Sequence, residues 1–223
     1  MLKMTFACFF TCLLAVSCKK SSTSDPVTPA TENYMNFTTG STWNYEIIDN
    51  IAASTSLYTI TSTNRDSTFL GNTYHVFTNS NGPSQYYGVT GNEYFDYEKI
   101  PSGISSSSRK NKYLIADLAK AESWQQTYPI IFNGVQRTLF ITNTITDKGI
   151  SKTVNGITYT NVIYVKTALT IEGIPAGLLT SDISSYYAPH YGLIENSSVI
   201  TVVTIGVPAT QSTTTRLKTA VLL

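Results

Sequence analysis

The chain has 223 residues and a formal charge of +1, from 15 Lys and Arg against 14 Asp and Glu, and only 13% of it is charged where ~25% is usual. That near-balance excludes a polybasic nucleic-acid binder and offers no steering field for a strongly charged partner. A hydrophobic content of 42% with 15 Tyr excludes a disordered chain, and 2 His with 3 Cys leave little material for a histidine- or thiolate-rich metal site.

The chain opens with a short positive region at Lys3, then an uncharged, mostly apolar run from Phe6 to Val16. This run is too short to span a bilayer, which takes ~20 residues, and it reads as the core of a signal peptide. It closes on Leu14-Ala15-Val16-Ser17-Cys18, which resembles a bacterial lipobox in which residues 1–17 are removed and Cys18 becomes the first mature residue. The chemistry needs that thiol: it is alkylated by a diacylglyceryl group before cleavage, and the new amino terminus is then acylated, commonly with palmitate. Ala15 stands where Leu is commoner. Cys8 and Cys12 leave with the signal, so the mature chain has a single acylated Cys and no internal disulfide, and its fold must rest on the core alone. Two or three acyl chains at ~0.8 kcal/mol per buried CH₂ hold a protein on a membrane essentially permanently. Lys19 is not the Asp of an inner-membrane retention signal, and no acidic surface-export cluster follows. The outer membrane, facing the periplasm rather than the cell surface, is therefore the expected location.

Residues 18–33 form the acylated Cys and a tether, KKSSTSDPVTPATEN after Cys18, rich in Ser, Thr, Pro and Lys and free of aromatics. Fifteen such residues reach ~50 Å fully extended and ~20 Å as a flexible coil. Residues 34–223 then read as one antiparallel β domain. Strands are expected at Trp43–Asp49, Leu57–Thr63, Tyr74–Asn79, Gln85–Thr90, Glu93–Glu98, Leu193–Thr204 and Thr215–Leu222. Four two-residue turn signals punctuate the chain: Gly71-Asn72, Gly91-Asn92, Asn133-Gly134 and Asn155-Gly156. The Asn-Gly pairs favour type I′ turns and the Gly-Asn pairs suit II′ or I′. The loop 100–111, IPSGISSSSRKN, precedes a helix expected at Asn111–Glu122, where Leu114, Ile115, Leu118 and Ala121 recur at helical spacing; a strand over Tyr113–Leu118 is the competing reading.

Two further strands follow. Val135, Leu139, Ile141 and Ile145 alternate with Gln136, Thr138, Phe140, Thr142 and Thr144, with Arg137 and Asn143 as exceptions on the apolar side. After the next turn, Ile157, Tyr159, Ile163 and Val165 lie opposite Thr158, Thr160, Tyr164 and Lys166. A period of two with one wet face belongs to a sheet packed on one side. The fold class expected is mainly β: a single antiparallel meander sheet, strongly curved into an open half-barrel, with at most one or two short helices.

Few residues point to chemistry. Tyr74 and Val76 share one face, so His75 is expected on a solvent-facing or edge position, and His190 lies in a Pro-His-Tyr-Gly turn; neither sits in a hydrolase or zinc motif. Ser107-Ser-Arg-Lys110 matches Ser-x-x-Lys by chance, without its partner motifs. Asp96 and Glu98 share a strand face near Glu93, as a carboxylate pair, a weak cation site or a solvated face beside Lys99. Tyr86, Tyr87, Tyr94, Phe95 and Tyr97 fall on two strands that the Gly91-Asn92 turn pairs, setting Tyr86 against Tyr97 and Val89 against Tyr94. Tyr86 and Tyr97 are the candidate ligand-binding residues, for a sugar or an apolar molecule; cross-strand aromatic packing is the alternative. No catalytic residue, metal ligand or cofactor site is assigned, and no enzyme activity is expected.

Four segments come in order: Thr39-Gly-Ser-Thr-Trp43-Asn-Tyr45, Ala121-Glu-Ser-Trp124, Thr153-Val-Asn-Gly-Ile-Thr-Tyr-Thr-Asn-Val-Ile-Tyr-Val165 and Tyr186-Tyr-Ala-Pro-His-Tyr-Gly-Leu-Ile-Glu195. Together they resemble a loose, functionally uncharacterised group of Gram-negative envelope lipoproteins with the pattern Gly-x-x-Trp-x-Tyr … Tyr-Tyr-Ala-Pro-x-x-Gly-Leu. His190 stands where that pattern usually has Gly. The resemblance implies a fold similar to the half-barrel of the lipoprotein carriers LolA and LolB, with a concave face able to take acyl chains, and it supplies no catalytic residues. Trp43 and Trp124 read as core anchors. The function expected is that of a membrane-anchored, non-enzymatic envelope lipoprotein binding an apolar or amphipathic ligand in the sheet's concavity. A glycan- or protein-binding module using exposed Tyr, and a purely structural envelope protein, are the alternatives. A hydrolase would require His75 or His190 within hydrogen-bond reach of a Ser or carboxylate in a cleft.

Overall fold

Alternating side chains and tight turns build a sheet of twelve antiparallel strands: β1 (Thr42–Asp49), β2 (Ser54–Phe69), β3 (Asn72–Asn79), β4 (Gln85–Thr90), β5 (Glu93–Glu98), β6 (Arg109–Ile115), β7 (Ser123–Phe132), β8 (Val135–Val154), β9 (Ile157–Ile171), β10 (Leu179–Ala188), β11 (Gly192–Thr204) and β12 (Val207–Val221). This computed structural model describes residues 32–98, 108–204 and 207–223. The signal peptide, Cys18, the tether through Thr31, Ser107 and most of the 100–111 loop lie outside the described residues.

The strands run β6-β5-β4-β3-β2-β1-β12-β11-β10-β9-β8-β7 across the sheet. Every chain neighbour pairs except β6 with β7, and the first and last strands pair with each other, Trp43 against Ala220 and Glu46 against Arg216. The curved antiparallel meander expected from the alternation is the fold observed. The turns follow their chemistry. Asn133-Gly134 and Asn155-Gly156 have φ of 49° and 74°, and 49° and 80°, both positive as type I′ requires. The expected Gly71-Asn72 turn is displaced by one: Leu70 (φ 52°) and Gly71 (φ 74°) form it, and Asn72 already pairs with Phe69.

The helix expected at Asn111–Glu122 is absent; residues 109–115 are strand β6, and no helix occurs among the described residues. The apolar spacing was that of a bulged strand. A register shift between Tyr94 and Phe95 of β5 lets Tyr113 bulge out of the β6 ladder beside Leu114, so two neighbours are both shielded and an apparent helical period results. Pairing with β5 satisfies the backbone here, where an isolated short helix is marginal. The chain then turns through 116–122, and the Lys148 ammonium donates to the carbonyls of Ala116 and Leu118. The competing strand reading over Tyr113–Leu118 overlaps β6, Trp124 stands at the start of β7, and β10 has no counterpart among the expected strands.

The sheet curls until its edges nearly meet. Tyr113 of β6 stacks on Tyr187 of β10 with centroids 5.4 Å apart, although the sheet order places those strands far from each other. Between β6 and β7 the ladder is replaced by side chains. Trp124 Nε1 donates to Lys112 O (2.9 Å), Gln126 accepts from Lys112 N (2.7 Å) and donates to Lys112 O (2.9 Å), and Tyr128 OH donates to Lys110 O (2.9 Å). Three inward residues at alternate positions of β7 thus quench the edge of β6.

One end of the barrel is solid. Trp43, Phe77, Leu114, Ile145, Val162, Ile163, Ile194 and Leu217 are fully buried there. The segment before β1 lies across this end: Tyr34 N donates to Tyr94 OH (3.0 Å), Tyr34 OH donates to Asn161 O (2.9 Å), and His190 N donates to Asn33 O (2.7 Å). Trp43 at 0% and Trp124 at 9% exposure are core anchors, as their setting suggested.

Candidate functional site

Toward the other end the inward residues change from aliphatic to aromatic and polar, and packing gives way to space. A cavity of about 290 Å³ is walled by Tyr45 of β1, Tyr87 of β4, Tyr113 of β6 and Tyr187 of β10, with Asp96, Asn111, Ser185 and Asn196 among its polar groups. A second chamber of about 350 Å³ shares Glu98, Asn111, Tyr113, Ser185, Tyr187 and Asn196 with it and continues along Leu139, Ile141, Leu169, Ile183 and Ile200. The two form an aromatic compartment and an aliphatic one, joined at a polar belt. Asn143, an exception in the β8 alternation, belongs to this second chamber and accepts a hydrogen bond from Thr167 Oγ1 (2.6 Å). Asn196 Nδ2 donates to Ser185 Oγ (2.9 Å). Burial pushes the hydroxyls of Tyr45, Tyr87 and Tyr113 well above their usual range, so these rings stay neutral.

Asp96 faces inward from β5. Its Oδ1 is shut off from water with no hydrogen-bond partner among the described residues. Burial, and then the neighbouring Glu98 carboxylate, push it up to about 8, against the opposing pull of Asn111 and Arg109. Arg109 is committed to Glu98, with Nε 2.7 Å from Oε2, and its guanidinium lies 4.6 Å from the Tyr128 ring centre. The expected Asp96–Glu98 pair is therefore real in placement, but it faces the barrel interior and not a solvated surface. Among the described residues no group of three His, Cys, Asp or Glu is placed to hold a metal ion.

Tyr86 and Tyr97 sit on the opposite face of the same hairpin. Val89 does pair with Tyr94, and the Tyr86 and Tyr97 rings meet edge to face at 6.1 Å. Phe69 stacks on Tyr97 at 4.2 Å and meets Tyr86 at 4.9 Å, and Tyr74 and Phe95 complete this outer cluster. Phe95 lies over Gly88, directly across the ladder, where a Cβ would stand 2.2 Å from its ring. Tyr86 and Tyr97 also border a concavity of about 390 Å³ that meets the interior cavity at Tyr87, Asp96 and Glu98.

His75 is not on a solvent-facing or edge position. It points inward beside Phe37 and Phe77, with Nε2 2.9 Å from Ser62 Oγ and Nδ1 2.9 Å from Asp66 Oδ1. The connectivity is that of a Ser-His-Asp relay. A bulge in β2 between Ser62 and Asp66 brings both within reach of one ring. Ser62, however, is 1% exposed, and its hydroxyl also lies 3.0 Å from the Phe37 carbonyl. With Nδ1–H given to Asp66, a neutral ring accepts from Ser62. A protonated ring instead donates to Ser62, which frees the hydroxyl for Phe37. At that exposure the Ser62 hydroxyl is closed to a substrate carbonyl from solvent. His190 makes no side-chain contact of this kind; it occupies the β10–β11 turn at φ 65°.

The chain matches no family model and no curated protein sequence. Solved structures do resemble it. A candidate exported protein of Bacteroides fragilis with a YmcC-like fold aligns with TM-score 0.52 at 8% identity, covering 85% of this chain and 99% of that one. The likeness is one of fold. A candidate lipoprotein of Parabacteroides distasonis aligns with TM-score 0.49 at 12% identity over 86% of this chain and 100% of that one.

The hairpin that carries the candidate residues Tyr86 and Tyr97 on one face lines the interior cavity with the other. Tyr87 and Asp96 alternate with Tyr86 and Tyr97, and which pair faces inward depends on the direction of curl. Tyr113 belongs to β6, for which the residues read as helix or strand, and Tyr187 to β10, which has no counterpart among the expected strands. A Tyr at a strand position flanked by Asn or Ser two residues away, as in Asn111-Lys-Tyr113 and Ser185-Tyr-Tyr187, was the available signal.

Proposed function

We propose that this chain is a non-enzymatic envelope lipoprotein, acylated at Cys18 and anchored in the outer membrane on its periplasmic side, whose barrel holds an amphipathic small molecule. The interior cavity carries the reading: aromatic and aliphatic compartments meeting at a polar belt suit a ligand with a polar head and an apolar tail. The lipobox residues support the anchor, and the description of the Bacteroides fragilis neighbour as exported accords with it. The concave face serves here as the corresponding surface of the LolA and LolB carriers would in the family the motifs resemble. The filled surroundings of Ser62 support the absence of hydrolase activity.

Native mass spectrometry of protein extracted from membranes is expected to show an N-terminal acylated Cys18 and a bound small molecule. An environment-sensitive amphiphilic dye is expected to bind the purified protein with one-to-one stoichiometry, and Leu169→Trp and Ile183→Trp, which fill the aliphatic chamber, are expected to abolish that binding with the fold intact. Unchanged dye binding in both variants would remove the cavity from consideration.

A further inference from the structure

We propose that the cavity selects an organic cation, the ammonium head of an alkyl amine, with Asp96 as its counter-ion and the aliphatic chamber as the seat of its tail. This rests on reading the barrel interior as a ligand site, and it assigns the sign of the ligand's charge. The described lining carries two carboxylates, Asp96 and Glu98, and one cation, Arg109, which Glu98 already engages through Nε at 2.7 Å. The neighbouring lysines are committed elsewhere: Lys112 to Glu93 at 2.6 Å, and Lys110 over the Phe95 ring on the outer face at 3.7 Å. An anionic head finds no uncommitted cation among these described groups. A cationic head meets the Asp96 carboxyl where that residue lines the cavity, and behind this surface Asp96 Oδ1 has no hydrogen-bond partner among the described residues.

The walls favour the same sign. Tyr45, Tyr87, Tyr113 and Tyr187 wall the space with aromatic rings, whose faces carry negative quadrupole density and attract a desolvated ammonium. Beyond the belt, Leu139, Ile141, Leu169, Ile183 and Ile200 offer an apolar lining continuous with the head site.

The groups that surround Asp96 are Tyr74 from β3, Tyr87 from β4, Glu98 from its own strand, Arg109, Asn111 and Tyr113 from β6, Tyr128 from β7 and Tyr187 from β10. In the empty cavity these surroundings hold the Asp96 carboxyl protonated at neutral pH. An arriving ammonium replaces that proton as the partner of the carboxylate, so one proton passes to solvent for each cation bound. Affinity for the amine therefore rises by up to ~tenfold per pH unit below about pH 8 and levels off above it.

The test uses the mature chain with Cys18→Ser, so that no detergent is needed, and three probes with one tail: decylamine, decanol and decanoate. Titration calorimetry at pH 8.5 is expected to rank decylamine ~tenfold or more tighter than decanol, with decanoate weakest. Asp96→Asn is expected to bring decylamine down to the affinity of decanol, leave decanol unchanged and abolish proton release at pH 6.5. Tyr113→Leu, which keeps the carboxyl, is expected to weaken decylamine more than decanol. Equal affinity for all three probes, or decanoate tightest, overturns the cation assignment while leaving the cavity a ligand site. Binding of none of them removes the ligand site as well.

Discussion

At the residue scale, Asp96 sets a pH dependence with a definite sign. Its carboxyl titrates at about 8 in the fold, against ~3.9 in an unfolded chain. The native state thus retains a proton that the unfolded state has lost across that interval. The stability this contributes is complete below pH ~4, falls as pH climbs toward 8 and is gone above it. Asp96→Asn removes the titration. Between pH 5 and pH 9 the wild type is expected to lose ~4 kcal/mol more than the variant, at ~1.4 kcal/mol per pH unit up to about 8, or ~8–16 °C in a thermal melt for a chain of this size. The Ser62–His75–Asp66 relay makes a different prediction. Ser62→Ala leaves His75 Nε2 and the Phe37 carbonyl short of a partner in the core, at a cost of ~1–3 kcal/mol in urea unfolding, and the wild type should take no fluorophosphonate label. His190 takes φ of 65°, a left-handed conformation that suits a residue without Cβ. His190→Gly is expected to raise stability by ~0.5–1 kcal/mol, measured in the same way.

At the scale of elements, the turns were legible because their chemistry is local, with Asn-Gly pairs reaching positive φ at both positions. Strand edges were not. Residues 111–118 read as helix because a bulge at Tyr113 put consecutive side chains out of water, and the partner strand that decides the matter is distant in the sheet's other dimension. β10, with Thr, Ser and Asp through most of its length, has no apolar alternation to find, since its inward Ser185 lines a cavity and not a core. The β6–β7 seam is held by side chains in place of a ladder, and Gln126 serves both backbone groups of Lys112. Gln126→Ala leaves that donor and acceptor unpaired, an expected loss of ~1–3 kcal/mol. Amide exchange at Lys112 should accelerate in this variant far more than in β2 or β3, whose ladders are intact.

For the whole molecule, the decisive contact is between the two ends of the chain. β12 is paired on both sides, to β1 and β11, and Leu217 within it is fully buried while its carbonyl accepts from Asn155 Nδ2 at 3.0 Å. Removing Thr213–Leu223 takes the shared partner of β1 and β11 out of the middle of the sheet, and such a truncation is expected to be unfolded by circular dichroism. The same closure explains the division of the interior. The segment before β1 covers the solid end, where the large apolar residues meet, and the aromatic and polar residues are left to line space at the other.

The sequence by itself determined the β class, the meander order of neighbouring strands, the Asn-Gly turns and the Trp anchors, because period-two alternation and turn conformation are properties of a few consecutive residues. Only the tertiary structure decided that β1 and β12 meet, that the break falls between β6 and β7, and that Tyr87 and Asp96 face inward while Tyr86 and Tyr97 face out. Those outcomes depend on which way a twelve-stranded sheet curls and on contacts between residues more than a hundred positions apart, and no local pattern encodes them.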